Sequence, residues 1–388
     1  MDSVLLKPGK DKAVRNRHHW IFSGAVHRLP EFENGALLPV TSAEGELLGH
    51  GYFNRKSSII GRMICYGAED PMDALRRRIR EAVAFRRRYF DHRVTNAYRI
   101  VNAEGDGIPG LVADLYDDVL VVQVATLGMD KLKSFLLEIL TDEIKPRSIF
   151  EKSDIPSRRE EGLSPYKGLL YGEPAGEVRI LEEGLTFMVD INDSQKTGFF
   201  LDQREMRKLT RQFAGGRRVL NAFGYTGAFS VYALKGGAVK ADTLDVSEKA
   251  LELARENFRV NDLPQTAGDF IAGDVFDFLR KPDQGYDFII LDPPAFAKKK
   301  SDIVPACRGY KDINRLAIRN VQSGGLVMTC SCSHFIDEHL FQQVVFQAAA
   351  EADRQVRIIQ KHRQAIDHPV NIFHPETAYL KGLLVYVD

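Results

Sequence analysis

Apolar and polar positions change their period along the chain. From about residue 205, short apolar runs alternate with amphipathic stretches. RRVLNAF (217–223), VKADTLD (239–245), DFIAGD (269–274), YDFIILD (286–292), GGLVMTCS (324–331), QVRIIQ (355–360) and KGLLVYV (381–387) predict strands. Helical spacing of the apolar residues predicts helices around 226–235, 247–260, 275–281, 309–322 and 337–351. This alternation predicts an α/β fold with a doubly wound, mostly parallel sheet, which binds ligands at the carboxyl ends of its strands.

The first half of the chain has a different texture. Over 1–70, short β-like runs are broken by Pro8-Gly9, Asn34-Gly35 and Glu44-Gly45, which predicts a small β-rich domain. Pro71 opens a helical run, MDALRRRIREAVAFRRRYF, with an apolar face and an arginine face. Residues 98–150 predict strands followed by an amphipathic helix, MDKLKSFLLEILTDEI. EKSDIPSRREEGLSPYKG is polar and reads as a linker or surface loop. The expected division is 1–70, 71–175 and 176–388.

Composition excludes several classes. The 388 residues are 44% hydrophobic and 27% charged, which rules out wholesale disorder. No run approaches the roughly 18 apolar residues of a membrane helix, and MDSVLLKPGKDK has no apolar signal core. Four cysteines without a CxxC pair suggest neither a disulfide framework nor a zinc site. A cytoplasmic protein with no membrane partner and no metal is the expectation. The zero net charge conceals an asymmetry: residues 1–100 hold 18 Lys and Arg against 11 Asp and Glu. A basic first module suits a polyanion, and equally a solvated arginine-rich helix.

The ends of the predicted strands carry the chemistry. The first ends in Asn221-Ala-Phe-Gly-Tyr-Thr-Gly227, a glycine turn that lacks the G-x-G-x-x-G spacing of dinucleotide folds. Asp245 follows about 20 residues on, where a carboxylate can accept from ribose hydroxyls. Asp274 ends the third strand, and either aspartate could instead cap the helix after it. Asp292-Pro-Pro-Ala-Phe296 ends the fourth, an acceptor beside an aromatic ring that suits a planar amino-bearing base. The fifth ends in Thr329-Cys-Ser-Cys332-Ser. Cys330 and Cys332 share a face, and Cys332 is nearer the cleft, although strand cysteines are commonly small buried hydrophobes.

Together these motifs resemble the class I S-adenosylmethionine-dependent methyltransferases. More closely, they resemble the RlmI-type family of bacterial 23S rRNA 5-methylcytosine methyltransferases. The resemblance rests on QKTGFFLDQR (195–204), VLNAFGYTGAFS (219–230), LDVS (244–247), GDVFDFL (273–279), LDPPAFAKKK (291–300), RGYKDINRLA (308–317), TCSCSH (329–334) and PETAYLKGLL (375–384). LKPGKDKAVRNRHHWIFSGAV is similar to that family's PUA-like RNA-binding module, and VNAEGDGIPGLVADLYDD to its middle domain.

The resemblance implies a Rossmann-like catalytic domain and S-adenosyl-L-methionine as cofactor. Asn221, Phe223, Tyr225 and Gly227 would line its methionine part, and Lys196 and Gln203 would close over it. Asp245 would hold the ribose and Asp274 the adenine. Many class I enzymes are acidic where this chain has Asn221. Asp292, Pro293, Pro294 and Phe296 would present the base, with Arg308, Tyr310 and Lys311 also on the substrate side. Cys332 would be a nucleophile toward cytosine C6, and Glu376 a candidate base for the C5 proton. The partner would be 23S rRNA, naked or in a precursor particle, and the family makes a homodimer plausible. Two alternatives stand beside this: methyl transfer to a purine nitrogen, which needs no cysteine, and a non-catalytic RNA-binding assembly factor.

Overall fold

The seven apolar runs of the second half form one seven-stranded sheet. In the computed structural model, which describes residues 3–193, 197–281 and 284–388, the strands are β1 (Arg218–Ala222), β2 (Lys240–Asp245), β3 (Phe270–Ala272), β4 (Phe288–Leu291), β5 (Gly325–Ser331), β6 (Val356–His362) and β7 (Lys381–Val387). Their order is β3-β2-β1-β4-β5-β7-β6. The first five are parallel; β7 runs antiparallel to both β5 and β6. β4 and β5 are buried throughout, as expected of central strands covered on both faces.

Among the described residues, six α-helices accompany the sheet: α1 (Arg204–Phe213), α2 (Ala228–Lys235), α3 (Glu248–Arg259), α4 (Val275–Arg280), α5 (Ile303–Asn320) and α6 (Glu338–Glu351). One apolar cluster joins β1, β2, β4, β5 and β7 to α4, α5 and α6. A second joins the sheet to α1 and α2. Helix α1 has no counterpart in the sequence expectation. Its fully buried Arg204 and Arg207 disguise the apolar period from which helices are read. Helix α5 begins six residues before the expected 309, because Pro305 sits in its first turn, where proline is tolerated.

The chain divides into two compact units. The first comprises Met1–Gly184, Val189–Leu201 and Asp367–Thr377; the second comprises Leu185–Met188, Asp202–Ile366 and Ala378–Asp388. The first unit holds a six-stranded sheet from residues 4–66 and a five-stranded sheet from residues 97–172. Its arginine helix, Pro71–Tyr89, starts where expected: Asp70 accepts from the amides of Met72 and Asp73, and Pro71 occupies the first turn.

The expected linker at 151–168 is a correction. Ser148–Ser153 and Tyr166–Gly172 are paired strands. Glu151 is fully buried and within 3.0 Å of the Lys133 ammonium. Paired charges can enter a core strand, and that pairing is invisible in a polar sequence run.

Candidate active site

The site is built where the winding of the sheet reverses. β1 pairs with β2 on one side and β4 on the other, and the chain departs in opposite directions from it. The carboxyl ends of β1, β4 and β5 therefore lie side by side, with Leu291 in register with both Ala222 and Thr329.

The turn after β1 is held in an unusual backbone. Phe223 and Tyr225 have φ of 59° and 45°, left-handed values that cost a non-glycine residue about 1–2 kcal/mol each. A Cβ on Gly224 would lie 2.5 Å from Thr243 Cγ2, so only glycine fits there. Gly227 (φ 75°) ends the turn, and a Cβ there would meet that of Ala254 at 2.8 Å. Asp245 secures the arrangement, accepting from the amides of Tyr225 and Ser247 at 2.9 Å each. Such strain persists only where the surroundings enforce it, and it clusters at ligand sites.

Asn221 is fully buried and donates to Ser230 Oγ, which lies 2.7 Å from Thr243 Oγ1. Its amide nitrogen is thus taken up beneath the turn, while its Oδ1 accepts no hydrogen bond within the protein. Asp274 is exposed and accepts from the Asp277 amide as the cap of α4, the alternative already open for it. Gln203 is also buried, and donates to Asp292 Oδ1 at 2.7 Å rather than standing free at the cleft. Lys196 lies outside the described residues.

The two cysteines have different environments. Cys330 is fully buried, and burial, with Asp292 nearby, pushes its thiol well above the ordinary range. Cys332 is partly exposed, its Sγ 4.0 Å from the carbonyl oxygen of Pro293. Pro293 is buried and Pro294 exposed. Phe296 packs on Tyr310 at 4.5 Å between centroids. Tyr310 is fully buried with its hydroxyl 2.8 Å from Ser333 Oγ, which ties it to the residue after Cys332. Arg308 is exposed, and Lys311 is ion-paired to Glu351 at 2.6 Å.

Glu376 belongs to the first unit. Its Oε2 lies 3.3 Å from His18 Nε2 and 3.8 Å from His374 Nε2. Its carboxylate is thus engaged by histidine, a partner the sequence reading did not include.

One residue escaped the sequence reading. Lys381, on β7, is buried and donates to the carbonyls of Ser333 at 2.6 Å and Tyr379 at 2.7 Å. Burial pushes its pKa down to about 8, against the opposing pull of the Cys332 thiol. A lysine flanking an apolar run signals only a strand end; the antiparallel return of β7 beside β5 is what brings it here.

Can these residues hold an amino-acid-bearing nucleoside? Three buried side-chain oxygens around the turn, Asn221 Oδ1, Gln203 Oε1 and Thr226 Oγ1, accept no hydrogen bond within the protein. Buried acceptors of this kind suit an ammonium donor. The strained turn and Asp245 fit the remainder. A sheet of this order, parallel except for the antiparallel β7, with a strained glycine turn after β1 and an acidic end to β2, defines a Rossmann-like unit of the class I methyltransferase type.

Comparison with known proteins agrees. Residues 163–371 match the family model described as S-adenosylmethionine-dependent methyltransferase, and residues 4–66 match a PUA-like domain. The chain is 41% identical to the ribosomal RNA large subunit methyltransferase I of Shewanella denitrificans, covering 99% of both chains. It is 40% identical to the protein of that name from Alteromonas mediterranea, covering 99% of this chain and 98% of that one. A solved SAM-dependent methyltransferase from Streptococcus mutans shares the fold over 100% of both chains, with a TM-score of 0.85 at 22% identity. A second solved methyltransferase, complexed with SAH, has a TM-score of 0.86 at 23% identity, again over 100% of both chains. The chain belongs to the S-adenosylmethionine-dependent methyltransferase family, among the ribosomal RNA large subunit methyltransferase I proteins. Its cofactor is S-adenosylmethionine.

Proposed function

We propose that the protein methylates C5 of a cytosine in 23S ribosomal RNA, with Cys332 as the nucleophile. The observation that carries this reading is the contrast between the cysteines: Cys330 is sealed, while Cys332 is partly exposed beside the Asp-Pro-Pro loop. Methyl transfer to a purine nitrogen would not require a thiol there.

When bound, S-adenosylmethionine supplies an electrophilic methyl group. The Cys332 thiolate adds to C6 of the base, and the C5–C6 π electrons become available at C5. C5 takes the methyl group, whose bond to the sulfonium sulfur breaks to leave S-adenosylhomocysteine, and C5 then loses its proton to a base. The electron pair returns to re-form the double bond, and the C6–S bond breaks to release the thiolate. Asp292, held by Gln203, accepts from the amino edge of the cytosine and fixes its position. Pro293, Pro294 and Phe296 shape the wall the base enters, and the base must leave its stack to reach it. Asp245 holds the ribose of the cofactor, and Phe223, Tyr225 and Gly227 cradle its methionine part.

Residues 1–70 serve as the RNA-binding module, 71–175 as a middle domain and 176–388, apart from the stretches that fold with the first unit, as the catalytic domain. The enzyme acts in the cytoplasm, on naked rRNA or a precursor particle, and a homodimer is the assembly proposed. Among the described residues, no helix is long and apolar enough to cross a membrane.

The test is incubation of unmodified 23S rRNA with labelled S-adenosylmethionine, followed by mass spectrometry of the nucleosides. 5-Methylcytidine that is lost in Cys332→Ala is expected. A methylated purine, or 5-methylcytidine formed at full rate by the variant, overturns the assignment.

A further inference from the structure

The first unit contains a cavity of about 490 Å³ on which the methyltransferase chemistry makes no claim. It lies between the first sheet, the arginine helix and the segment 367–377. Its walls include Arg17, Tyr66, Arg78, Phe85, Asn371 and Phe373.

Its charges do not balance. Two carboxylates reach the lining, and each is already neutralised. Asp106 takes a bidentate pair from Arg86, at 2.7 and 2.8 Å, and Glu81 is bonded by Arg77 at 3.0 Å. Arg17 and Arg78 have no carboxylate at ion-pairing distance among the described residues. Arg78 is half-buried, donates to the Gly107 carbonyl, and sits over the Tyr66 ring at 5.9 Å. Burial is the largest influence on it and lowers its pKa. His19, on the same wall, adds no charge near neutral pH, since burial pushes its pKa down to about 3. Two guanidinium groups therefore remain uncompensated in one concavity.

Aromatic surface accompanies them. Phe373 is 49% exposed, and the Arg17 guanidinium lies 5.9 Å from its ring centroid. Arg17 itself adopts a left-handed backbone, φ 61°, rare for a bulky residue, while its carbonyl accepts from the Tyr66 hydroxyl at 2.6 Å. The neighbouring sheet enforces that conformation, which sets the starting direction of the side chain.

We infer that this cavity receives one nucleotide of single-stranded RNA, its phosphate on Arg17 and Arg78 and its base against Phe373. Guanidinium groups match phosphate geometry, and an exposed aromatic ring stacks any base without regard to sequence. The inference rests on the proposed RNA substrate and adds a holding site remote in sequence from the cysteine and its loop.

The test is fluorescence anisotropy with a short fluorescein-labelled single-stranded oligoribonucleotide over a potassium chloride series. Arg17→Gln/Arg78→Gln is expected to weaken binding by about tenfold or more and to reduce the slope of log K against log salt by about 0.7, the value for one phosphate. Phe373→Ala should weaken binding by about tenfold with the slope kept. Arg17→Gln alone guards against misfolding, because Arg17 is exposed. Arg93→Gln, on an exposed ion pair with Asp91, should bind as wild type. Wild-type binding that Arg17→Gln, the double variant and Phe373→Ala all leave unchanged overturns the cavity alone. A wild type that binds S-adenosylhomocysteine but no RNA overturns the substrate reading and the cavity with it.

Discussion

The Lys381 ammonium donates to the carbonyl of Ser333 at 2.6 Å, one residue beyond Cys332. A buried cation thus pins the loop carrying the proposed nucleophile and stands in electrostatic contact with its thiol. Thiolates, not thiols, add to carbon, and a neighbouring ammonium favours the thiolate.

Replacing Lys381 by Met should therefore slow alkylation of Cys332 by iodoacetamide at neutral pH by roughly tenfold, the effect of about one pH unit on the thiol. Lys381→Arg should recover part of that rate. The alkylated residue is identified by peptide mass spectrometry. An unchanged rate in Lys381→Met would restrict Lys381 to a structural role.

The same lysine makes a stability prediction. Its folded pKa, about 8, lies below the ordinary lysine value of 10.5. Between those values the unfolded chain binds more protons than the folded one, so this group makes stability rise with pH across that window. Lys381→Met should flatten the rise in denaturation midpoint from pH 8 to 10. Coincident profiles for variant and wild type would contradict this.

The two strand cysteines should separate stability from turnover. Cys330→Ala removes a fully buried side chain and is expected to cost about 1–2 kcal/mol in urea unfolding while leaving methylation measurable. Cys332→Ala should abolish 5-methylcytidine while S-adenosylhomocysteine affinity and unfolding midpoint stay near wild type. The opposite pattern would exchange their roles.

Gly227→Ala should lower the melting temperature. A left-handed alanine costs about 1 kcal/mol, before its contact with Ala254 is counted. Differential scanning fluorimetry measures the loss, and calorimetric titration with S-adenosylhomocysteine should show weaker binding. A variant matching wild type in both would show that the turn can relax.

Asp274 can be dissected by substitution. Asparagine caps helices as well as aspartate, whereas alanine costs about 1 kcal/mol. Asp274→Asn should preserve stability and weaken S-adenosylhomocysteine binding, if the carboxylate holds the adenine amino group as the family resemblance implies. Equal affinity would leave Asp274 as the cap of α4 alone.

The strands of the catalytic sheet were legible because each is an apolar run closed by a turn or an acidic end. Asp245 and the Asp-Pro-Pro loop stood out for the same reason: polar groups at the carboxyl ends of buried strands have few structural explanations. What the sequence could not reveal depends on partners distant along the chain. Asn221 reads only as a ligand group until its amide nitrogen is seen to donate to Ser230, which is itself bonded to Thr243. Glu376 reads as an available base until His18 is found beside it, 358 positions away. Lys381 reads as a strand end, and Glu151 as a loop residue, until pairing buries them.

The division of the chain has a consequence for its synthesis. The amide of Arg99 and the guanidinium of Arg86 both donate to Asp367, at 2.9 and 2.7 Å, inside the first unit. Nascent domains ordinarily fold as they leave the ribosome, amino end first, at about 5–20 residues per second. Here the amino-terminal unit lacks its last segment until residue 377 of 388 has been made. Its completion thus waits until most of the second unit has been made, and no single cut of the polypeptide yields either unit whole.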